Sequence, residues 1–253
     1  MKKLCFLATV AILCACSGTS TQQENVVGRD GLSGKVHKVQ TLIYKAKLQG
    51  MEAVKAGKPD PYGEMDFFPK EDTRIYSLEG QLDSIVSVLD ATKYITVYAY
   101  QDGKVSNEKL YQNGELFTDR KFVYQGDNLV NTVEDMYIGG DKTTNEYPVD
   151  ASKVEYADGN RIEHGETERD FVVKDSQGRV LKESAYNEMD EYQMVKEYTY
   201  NKKGWLISCI SGEEDKFAYD YPQVDEQGNW TRMIIYLNEQ PYGIVERTIM
   251  YYE

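Results

Sequence analysis

The stretch DSQGRVLKES, residues 175–184, places a glycine after three polar residues and before an alternating apolar stretch. Taken alone, such a glycine could belong to a turn, a phosphate-binding loop or a metal-binding loop. The same phrase recurs along the chain, at Gly80, Gly103, Gly126, Gly159, Gly178, Gly204 and Gly228. Successive glycines are 23, 23, 33, 19, 26 and 24 residues apart, and self-similarity at such a period is typical of repeat architectures.

Each repeated unit has the pattern of a β-hairpin. An alternating stretch rich in Tyr, Val and Phe comes first, as at Tyr198 and Tyr200, and polar turn-forming residues follow it. The glycine near the end of the turn can adopt a left-handed backbone angle without steric strain. A unit of about 24 residues accommodates two strands and two turns, and Asn113-Gly114 is a strong signal for the alternate turn. The seven glycines are therefore predicted to be structural turn residues.

The predicted fold class is all-β, an antiparallel meander of successive hairpins. The periodicity leaves open whether this sheet curls into a partial barrel or packs on itself. The one helix candidate, Lys47–Ala56, contains Gly50 and is expected to form at most a turn and a half. The segments 58–72 and 137–150 are expected to be long loops, where a binding function would most easily sit.

The repeated unit resembles a known family. The stretches DSQGRVLKES and EYTYNKKGWLISC (residues 197–209) resemble the YD repeat of RHS-type proteins, Tyr-x-Tyr-Asp-x-x-Gly-Arg-Leu. The first matches it at Asp175, Gly178, Arg179 and Val180, and the second at Tyr198, Tyr200, Gly204 and Leu206. The resemblance covers residues 70–252. The opening LSGKVHKVQTLIY and the closing VERTIMYYE look like those of small RHS-like bacterial lipoproteins. The resemblance implies an antiparallel β architecture and carries no catalytic residue across.

The first residues predict a lipoprotein signal peptide over residues 1–15. Two lysines precede an apolar run that is too short to span a bilayer as a mature helix. The run ends in Leu13-Cys14-Ala15-Cys16, which resembles a bacterial lipobox with Cys16 as the acylated residue. The alternative is an ordinary secretory signal cleaved near Ala15.

Lipidation predicts where the protein is held. Acyl chains on Cys16 would anchor the chain to a membrane, residues 16–26 read as the lipidated cysteine and a flexible tether, and residues 27–253 read as one antiparallel β-repeat domain. Ser17, rather than an aspartate, follows the acylated cysteine, and this pattern permits sorting to the outer membrane of Gram-negative bacteria. We therefore expect a lipid-anchored protein of the cell envelope.

The charge of the chain makes nucleic acid a poor partner. The two lysines of the signal reduce the 29 basic residues to 27 in the mature chain, against 42 acidic residues. A polyanion of this size repels phosphate backbones. The excess of negative charge more plausibly serves solubility.

Nucleophilic and metal chemistry find little support in the residue types. Cys209 is the one thiol left after the signal and the lipidated cysteine are set aside, and its aliphatic neighbours predict a buried, inert residue. His37 and His164 are the only histidines, and their positions on a strand face and near a turn are typical of solvated surface residues. A nucleophilic triad usually needs a histidine, and a zinc site needs more ligands. We expect no catalytic residue, no metal and no cofactor.

Two kinds of side chain keep other functions open. The chain has many acidic residues, and an acidic catalytic pair facing across a cleft would not be visible in the sequence. Its 21 tyrosines and two tryptophans could stack on sugar rings, with Trp205, Trp230, Tyr198 and Tyr200 as candidates, although tyrosine also suits a half-buried strand. The leading hypothesis is a non-catalytic module that binds a protein or another envelope component, and the alternative is a carbohydrate-binding lipoprotein.

Overall fold

A computed structural model describes residues 31–59, 70–165, 170–187, 192–212 and 214–253. The predicted signal peptide, Cys16 and the tether lie outside the described residues, as does most of the expected loop 58–72. Strands make up 72% of the structure, in one large antiparallel sheet, which confirms the predicted fold class. None of the helices in the described ranges is long and apolar enough to cross a bilayer.

Within the described residues, the sheet contains eighteen strands. The first nine are β1 (Val36–Gln49), β2 (Glu52–Gly57), β3 (Thr73–Tyr76), β4 (Leu82–Leu89), β5 (Thr92–Gln101), β6 (Lys104–Gln112), β7 (Glu115–Gln125), β8 (Asn128–Ile138) and β9 (Asp141–Pro148). A short 3-10 helix follows, Ala151–Lys153. The other nine are β10 (Val154–Ala157), β11 (Asn160–His164), β12 (Phe171–Lys174), β13 (Val180–Asn187), β14 (Tyr192–Tyr200), β15 (Leu206–Ser211), β16 (Asp215–Val224), β17 (Trp230–Leu237) and β18 (Gln240–Tyr251).

Strand β1 joins the two halves of the sheet. On one side it pairs with β18, the last strand of the chain. On its other side, its first part pairs with β3 and its last part with β2. From β3 the sheet continues in chain order to β9, and from β18 it runs back in chain order to β10. All these pairs are antiparallel, so the fold is a meander whose first and last strands meet in the middle.

The two ends of the sheet are drawn together by the chain. Five residues, 149–153, connect β9 to β10, and such a link reaches at most about 20 Å. Measured along the sheet, the same two strands are about 80 Å apart, since neighbouring strands are spaced by about 4.8 Å. The sheet must therefore curl round on itself.

The curled sheet nevertheless stays open. In the described part of the chain, β9 pairs with β8 alone and β10 with β11 alone. All strands except β2 lie on the antiparallel path from β9 to β10, which is an odd number of strands, so the two edge strands run in the same sense. A parallel pair needs a crossover of about a dozen residues or more, and five residues are too few to let these edges pair.

The seven predicted turn glycines all have positive φ, and they form two classes. At Gly80, Gly178, Gly204 and Gly228 the turn has four residues, and the side chain of its first residue holds it. Asp175 Oδ1 accepts from the backbone N–H of Gln177 and from that of Arg179, each at 2.9 Å. Asn201 and Asp225 repeat this pattern.

The other three glycines, Gly103, Gly126 and Gly159, belong to two-residue turns. Asp102 and Asp158 precede two of them with positive φ as well, which is the backbone that twisted hairpins favour. Both classes of turn close alternate hairpins, so all seven lie along one border of the antiparallel sheet. We call this border the glycine rim.

A β-bulge recurs beside the turns, and a tyrosine marks it in most cases. The register shifts by one residue next to Tyr76, Tyr100, Tyr111, Tyr124, Tyr200 and Tyr236. A bulge increases the local twist of a strand pair. Repeated at most hairpins, it explains why the sheet coils instead of extending as a flat ribbon.

Two expectations about local structure were wrong. Residues 47–56 form a hairpin instead of a helical turn, because Gly50 with positive φ opens a two-residue turn between β1 and β2. Residues 137–150 are mostly strand instead of loop, because Gly139-Gly140 forms a tight turn and β9 follows it. In both places a glycine that was taken as a helix breaker or a loop residue is the centre of a hairpin.

Buried apolar side chains form two clusters on one face of the sheet, which we call the core face. The first cluster centres on β15–β18 with Ile43 of β1, and its most enclosed members are Cys209, Ile235 and Val245. The second gathers Val36, Val39, Tyr76 and Leu82 around the start of β1. Because a curl crowds the side chains of its inner side, the core face is the concave one.

Candidate functional site

The two tryptophans proposed as sugar-stacking residues are buried. Trp205 is 9% exposed and Trp230 is 6% exposed. The Tyr221 ring lies between them, with ring centroids 5.0 Å and 5.5 Å away. The Arg247 guanidinium covers the Trp230 ring at 3.6 Å. The structure thus brings these tryptophans together inside the first apolar cluster, where their faces are occupied by protein.

The two candidate tyrosines use their hydroxyls within the sheet. Tyr200 donates to the Val180 carbonyl at 2.9 Å, and Tyr198 donates to a Glu183 carboxylate oxygen at 2.5 Å. Burial raises the pKa of Tyr200 to about 12 and raises that of Tyr198 further. Tyr221 donates to the Leu206 carbonyl in the way that Tyr200 does to Val180. The recurrence favours a scaffold role for these residues.

Cys209 is fully buried in the first cluster, as the sequence predicted. Desolvation by burial raises the pKa of its thiol to about 11, so the thiolate is scarce at neutral pH. His37 lies against the Tyr252 ring, with centroids 4.6 Å apart. His164 Nε2 lies 3.4 Å from a Glu155 carboxylate oxygen near the sheet edge. These three residues are far apart in the strand order and form no common site.

The start of the domain is fixed at the glycine rim by a buried asparagine. Asn229 Nδ2 donates to the Ser33 carbonyl at 2.8 Å, and the Ser33 N–H donates back to Asn229 Oδ1 at 2.7 Å. The Tyr251 hydroxyl accepts from the same amide at 2.7 Å. Asn229 therefore fixes the segment just before β1 at this rim.

A polar ladder crosses the core face of β5–β8 and was not predicted. Arg120 stands between two carboxylates. Its Nη1 donates to Glu108 at 2.7 Å and its Nε to Glu134 at 2.9 Å. Glu134 is among the most buried charged residues, and desolvation raises the pKa of Glu108 although Arg120 opposes that shift. Tyr98, opposite Glu108, completes the ladder.

The polar ladder contains two neighbouring carboxylates that could serve as an acidic catalytic pair. Their hydrogen bonds, however, are made with Arg120 within the sheet. Both carboxylates are engaged by the same guanidinium, and the Arg120 side chain is itself only 19% exposed. Such an arrangement leaves the oxygens of Glu108 and Glu134 satisfied by the sheet. The ladder therefore reads as a buried ion-pair network that holds β6, β7 and β8 in register.

The edge strand β9 carries unused backbone groups. The Val149 N–H donates to the Val130 carbonyl at 3.0 Å, and hydrogen-bonded and non-hydrogen-bonded pairs alternate along an antiparallel ladder. In the register of β8 and β9, this alternation directs the N–H and C=O groups of Lys142, Thr144 and Glu146 away from the sheet. Seven of the eight residues of β9 are exposed, so nothing in the described structure covers this edge.

The other edge, β10, has the same character but is shorter. Its two-residue turn at Asp158-Gly159 makes Ala157 and Asn160 a hydrogen-bonded pair, so the alternation directs the backbone groups of Tyr156 and Val154 away from β11. The Val154 N–H donates to the Ala151 carbonyl of the 3-10 helix, so the N–H that this edge offers is that of Tyr156. Tyr156 is 67% exposed. We call β9 and β10 the open edges.

Comparisons with known proteins assign no function to this chain, so a function has to be inferred from the residues described above. No family model matches the chain. No curated protein matches it either. Among solved structures, the chain is similar to part of the crystal structure of TcdB2-TccC3-Cdc42, with 12% identity and a TM-score of 0.21; the match covers 83% of this chain and 12% of that chain.

Proposed function

We propose that the protein is a small lipoprotein of the RHS/YD-repeat type whose β-repeat domain is a non-catalytic binding module for a protein of the cell envelope. The observation that carries the proposal is the pair of open edges. An extended segment of another protein can add to such an edge as a further strand, with main-chain hydrogen bonds for affinity and alternate side chains for specificity.

The residues that were candidates for the alternative functions are enclosed or engaged within the described structure. Sugar stacking needs exposed aromatic faces, and Trp205 and Trp230 are enclosed by Tyr221 and Arg247. Acid–base chemistry needs a carboxylate pair that is free to take up and give a proton, and Glu108 and Glu134 share Arg120. The outward backbone groups of Lys142, Thr144 and Glu146, in contrast, lie on an edge that no other described strand covers.

The lipid anchor belongs to the same proposal. Leu13-Cys14-Ala15-Cys16 supports acylation of Cys16. We expect Cys16→Ala to release the protein from membranes in cell fractionation. Membrane retention of this variant would refute the lipid anchor.

The binding proposal is tested by capture from envelope extract with the mature chain from Ser17 as bait. Glu146→Pro removes an outward N–H of β9 without removing a bond to β8, and Tyr156→Pro does the same for β10. Glu146→Ala and Tyr156→Ala are the matched controls because they keep the N–H. We expect one specific protein to be retained by the wild type and both alanine variants and lost with at least one proline variant. Retention of polysaccharide without protein, or a protein partner indifferent to both prolines, would contradict the proposal.

A further inference from the structure

We propose that β9 pairs antiparallel with β9 of a second copy of this chain, so that two sheets continue into one across a twofold axis at Thr144. The inference deepens the proposed function, since it names a partner for one of the two open edges. It rests on the register of the outward backbone groups and on the charges that this register brings together.

The register follows from the positions of the outward groups. Antiparallel pairing about Thr144 places Lys142 opposite Glu146 of the second copy, and Glu146 opposite Lys142 of the second copy. These residues and Thr144 are the ones whose N–H and C=O groups point away from β8. Each outward donor and acceptor of the three residues then finds a partner, as a closed antiparallel ladder requires.

The side chains agree with this register. Lys142 and Glu146 have opposite charges and would stand directly across from each other, twice in the symmetric pair, which stabilises an antiparallel sheet. On the other face Thr143 would lie opposite Asn145 of the second copy, and Asp141 opposite Tyr147 of the second copy. No like charges meet. A shift by two residues in either direction would separate the charges and leave outward groups unpaired.

Charged residues on an edge usually prevent pairing between identical chains. Here the spacing reverses that effect, because a positive and a negative residue two positions on either side of Thr144 become complementary about a twofold axis. Lys142 already lies 3.0 Å from Asp135 of β8, which holds its ammonium group over the sheet near the edge. Pro148, whose ring nitrogen lacks a hydrogen, ends the ladder at the glycine rim.

The edge β9 is better suited than β10 to pair with a second copy of the chain. β10 has four residues, and only Tyr156 offers both an outward N–H and an outward C=O, since the Val154 N–H donates to the Ala151 carbonyl. It therefore offers a shorter ladder and no complementary charges for a second copy. In this account β9 is taken by the second copy and β10 remains open to a different protein.

The test uses charge reversal on the mature chain, with association measured by sedimentation velocity over a wide range of concentrations. Lys142→Glu alone and Glu146→Lys alone each set like charges opposite one another, and we expect each to weaken self-association roughly tenfold or more. The double variant Lys142→Glu/Glu146→Lys restores opposite charges and is expected to associate as the wild type does. A mixture of the two single variants is expected to form the mixed dimer, since every pair across that interface is again opposite in sign.

The outcomes separate this inference from the proposed function. A wild-type chain that stays monomeric, or a dimer that ignores both single variants, would overturn the pairing of β9 with itself. Failure of the mixture to associate would do the same, even if the single variants are monomeric, because their effect would then arise within each chain and not from charges opposed across the interface. Capture of an envelope protein that depends on Tyr156 would leave the proposed function standing in each of these cases. A charge-dependent dimer that captures no envelope protein would support the pairing of β9 with itself and would contradict the proposed function.

Discussion

Replacing Trp230 with alanine is expected to lower the free energy of unfolding by about 3–5 kcal/mol, the range measured for buried large aromatic side chains. Trp230 contacts the Tyr221 ring and lies under the Arg247 guanidinium. Its removal leaves a cavity in the first apolar cluster, and the Arg247 guanidinium loses its cation–π contact with the Trp230 ring. Chemical denaturation measures the change directly, and the thermal midpoint should fall by on the order of 10 °C.

A matched aromatic residue at the sheet edge gives the control. Tyr147 is 51% exposed, and Tyr147→Ala is expected to change the unfolding free energy by less than about 0.5 kcal/mol. If Trp230→Ala were as harmless as this control, the ring would not be part of the core. The sugar-stacking hypothesis for Trp205 and Trp230 would then regain its basis.

Replacing Arg120 with leucine is expected to destabilise the domain by about 3 kcal/mol at neutral pH. Removing one partner of a buried ion pair is costly because the remaining charge is left without compensation. Here one substitution deprives both Glu108 and Glu134 of the same guanidinium. Lys121→Leu, at the next position of β7 but exposed on the other face, is the control and is expected to have little effect.

The destabilisation by Arg120→Leu should depend on pH in a defined direction. The pKa of Glu108 is already raised by burial, and Arg120 is the main group that opposes this, so the variant raises that pKa further. A carboxyl group whose pKa is higher in the folded state than in the unfolded state destabilises the fold when the pH is above its folded-state pKa. This penalty is lost as the pH falls from the folded-state pKa to the unfolded-state pKa. The gap between the variant and the wild type should therefore narrow between pH 7 and pH 5. A gap that is constant over this range would show that lost packing, and not an uncompensated carboxylate, causes the effect.

The hairpins were predictable because their turns have a local chemical cause. A four-residue turn such as Asp175–Gly178 needs a side-chain acceptor at its start and a positive φ at its end, and both requirements are visible in the sequence. The two-residue turns at Gly139-Gly140 and at Gly50 need only the positive φ that glycine adopts readily. These turns were missed because their neighbouring strands are rich in charged and polar residues, which weakened the apolar alternation that identifies a strand.

The polar ladder was not predictable because bulges decide it. Continued without a shift from the Asn113-Gly114 turn, the register of β6 and β7 would set Glu108 against Asp119, a pair of like charges. The bulge next to Tyr111 moves the register by one residue and sets Glu108 against Arg120. A second bulge, next to Tyr124, sets Arg120 against Glu134. In retrospect the tyrosines beside the turns mark these shifts.

The open edges also depend on long-range pairing. The sequence shows where hairpins form, but the pairing of β1 with β18 joins residues at opposite ends of the domain, and no local pattern indicates it. Because of that pairing, the strands from β9 to β10 along the sheet are odd in number, so β9 and β10 are parallel. These two strands, consecutive in the chain, therefore become the two edges of the sheet. The edges, and hence the proposed binding surface, follow from this topology.

The central claim, that β9 and β10 are open edges, is tested most directly by amide hydrogen exchange resolved by residue in NMR spectra. The measurement is made on Lys142→Glu, in which we expect the proposed self-pairing of β9 to be weakened. We predict that the amides of Thr144, Glu146 and Tyr156 exchange rapidly, while those of Thr143, Asn145 and Glu155 are protected by β8 and β11. Slow exchange at Thr144, Glu146 and Tyr156 would show that the edges are already covered within the chain, and would contradict the account.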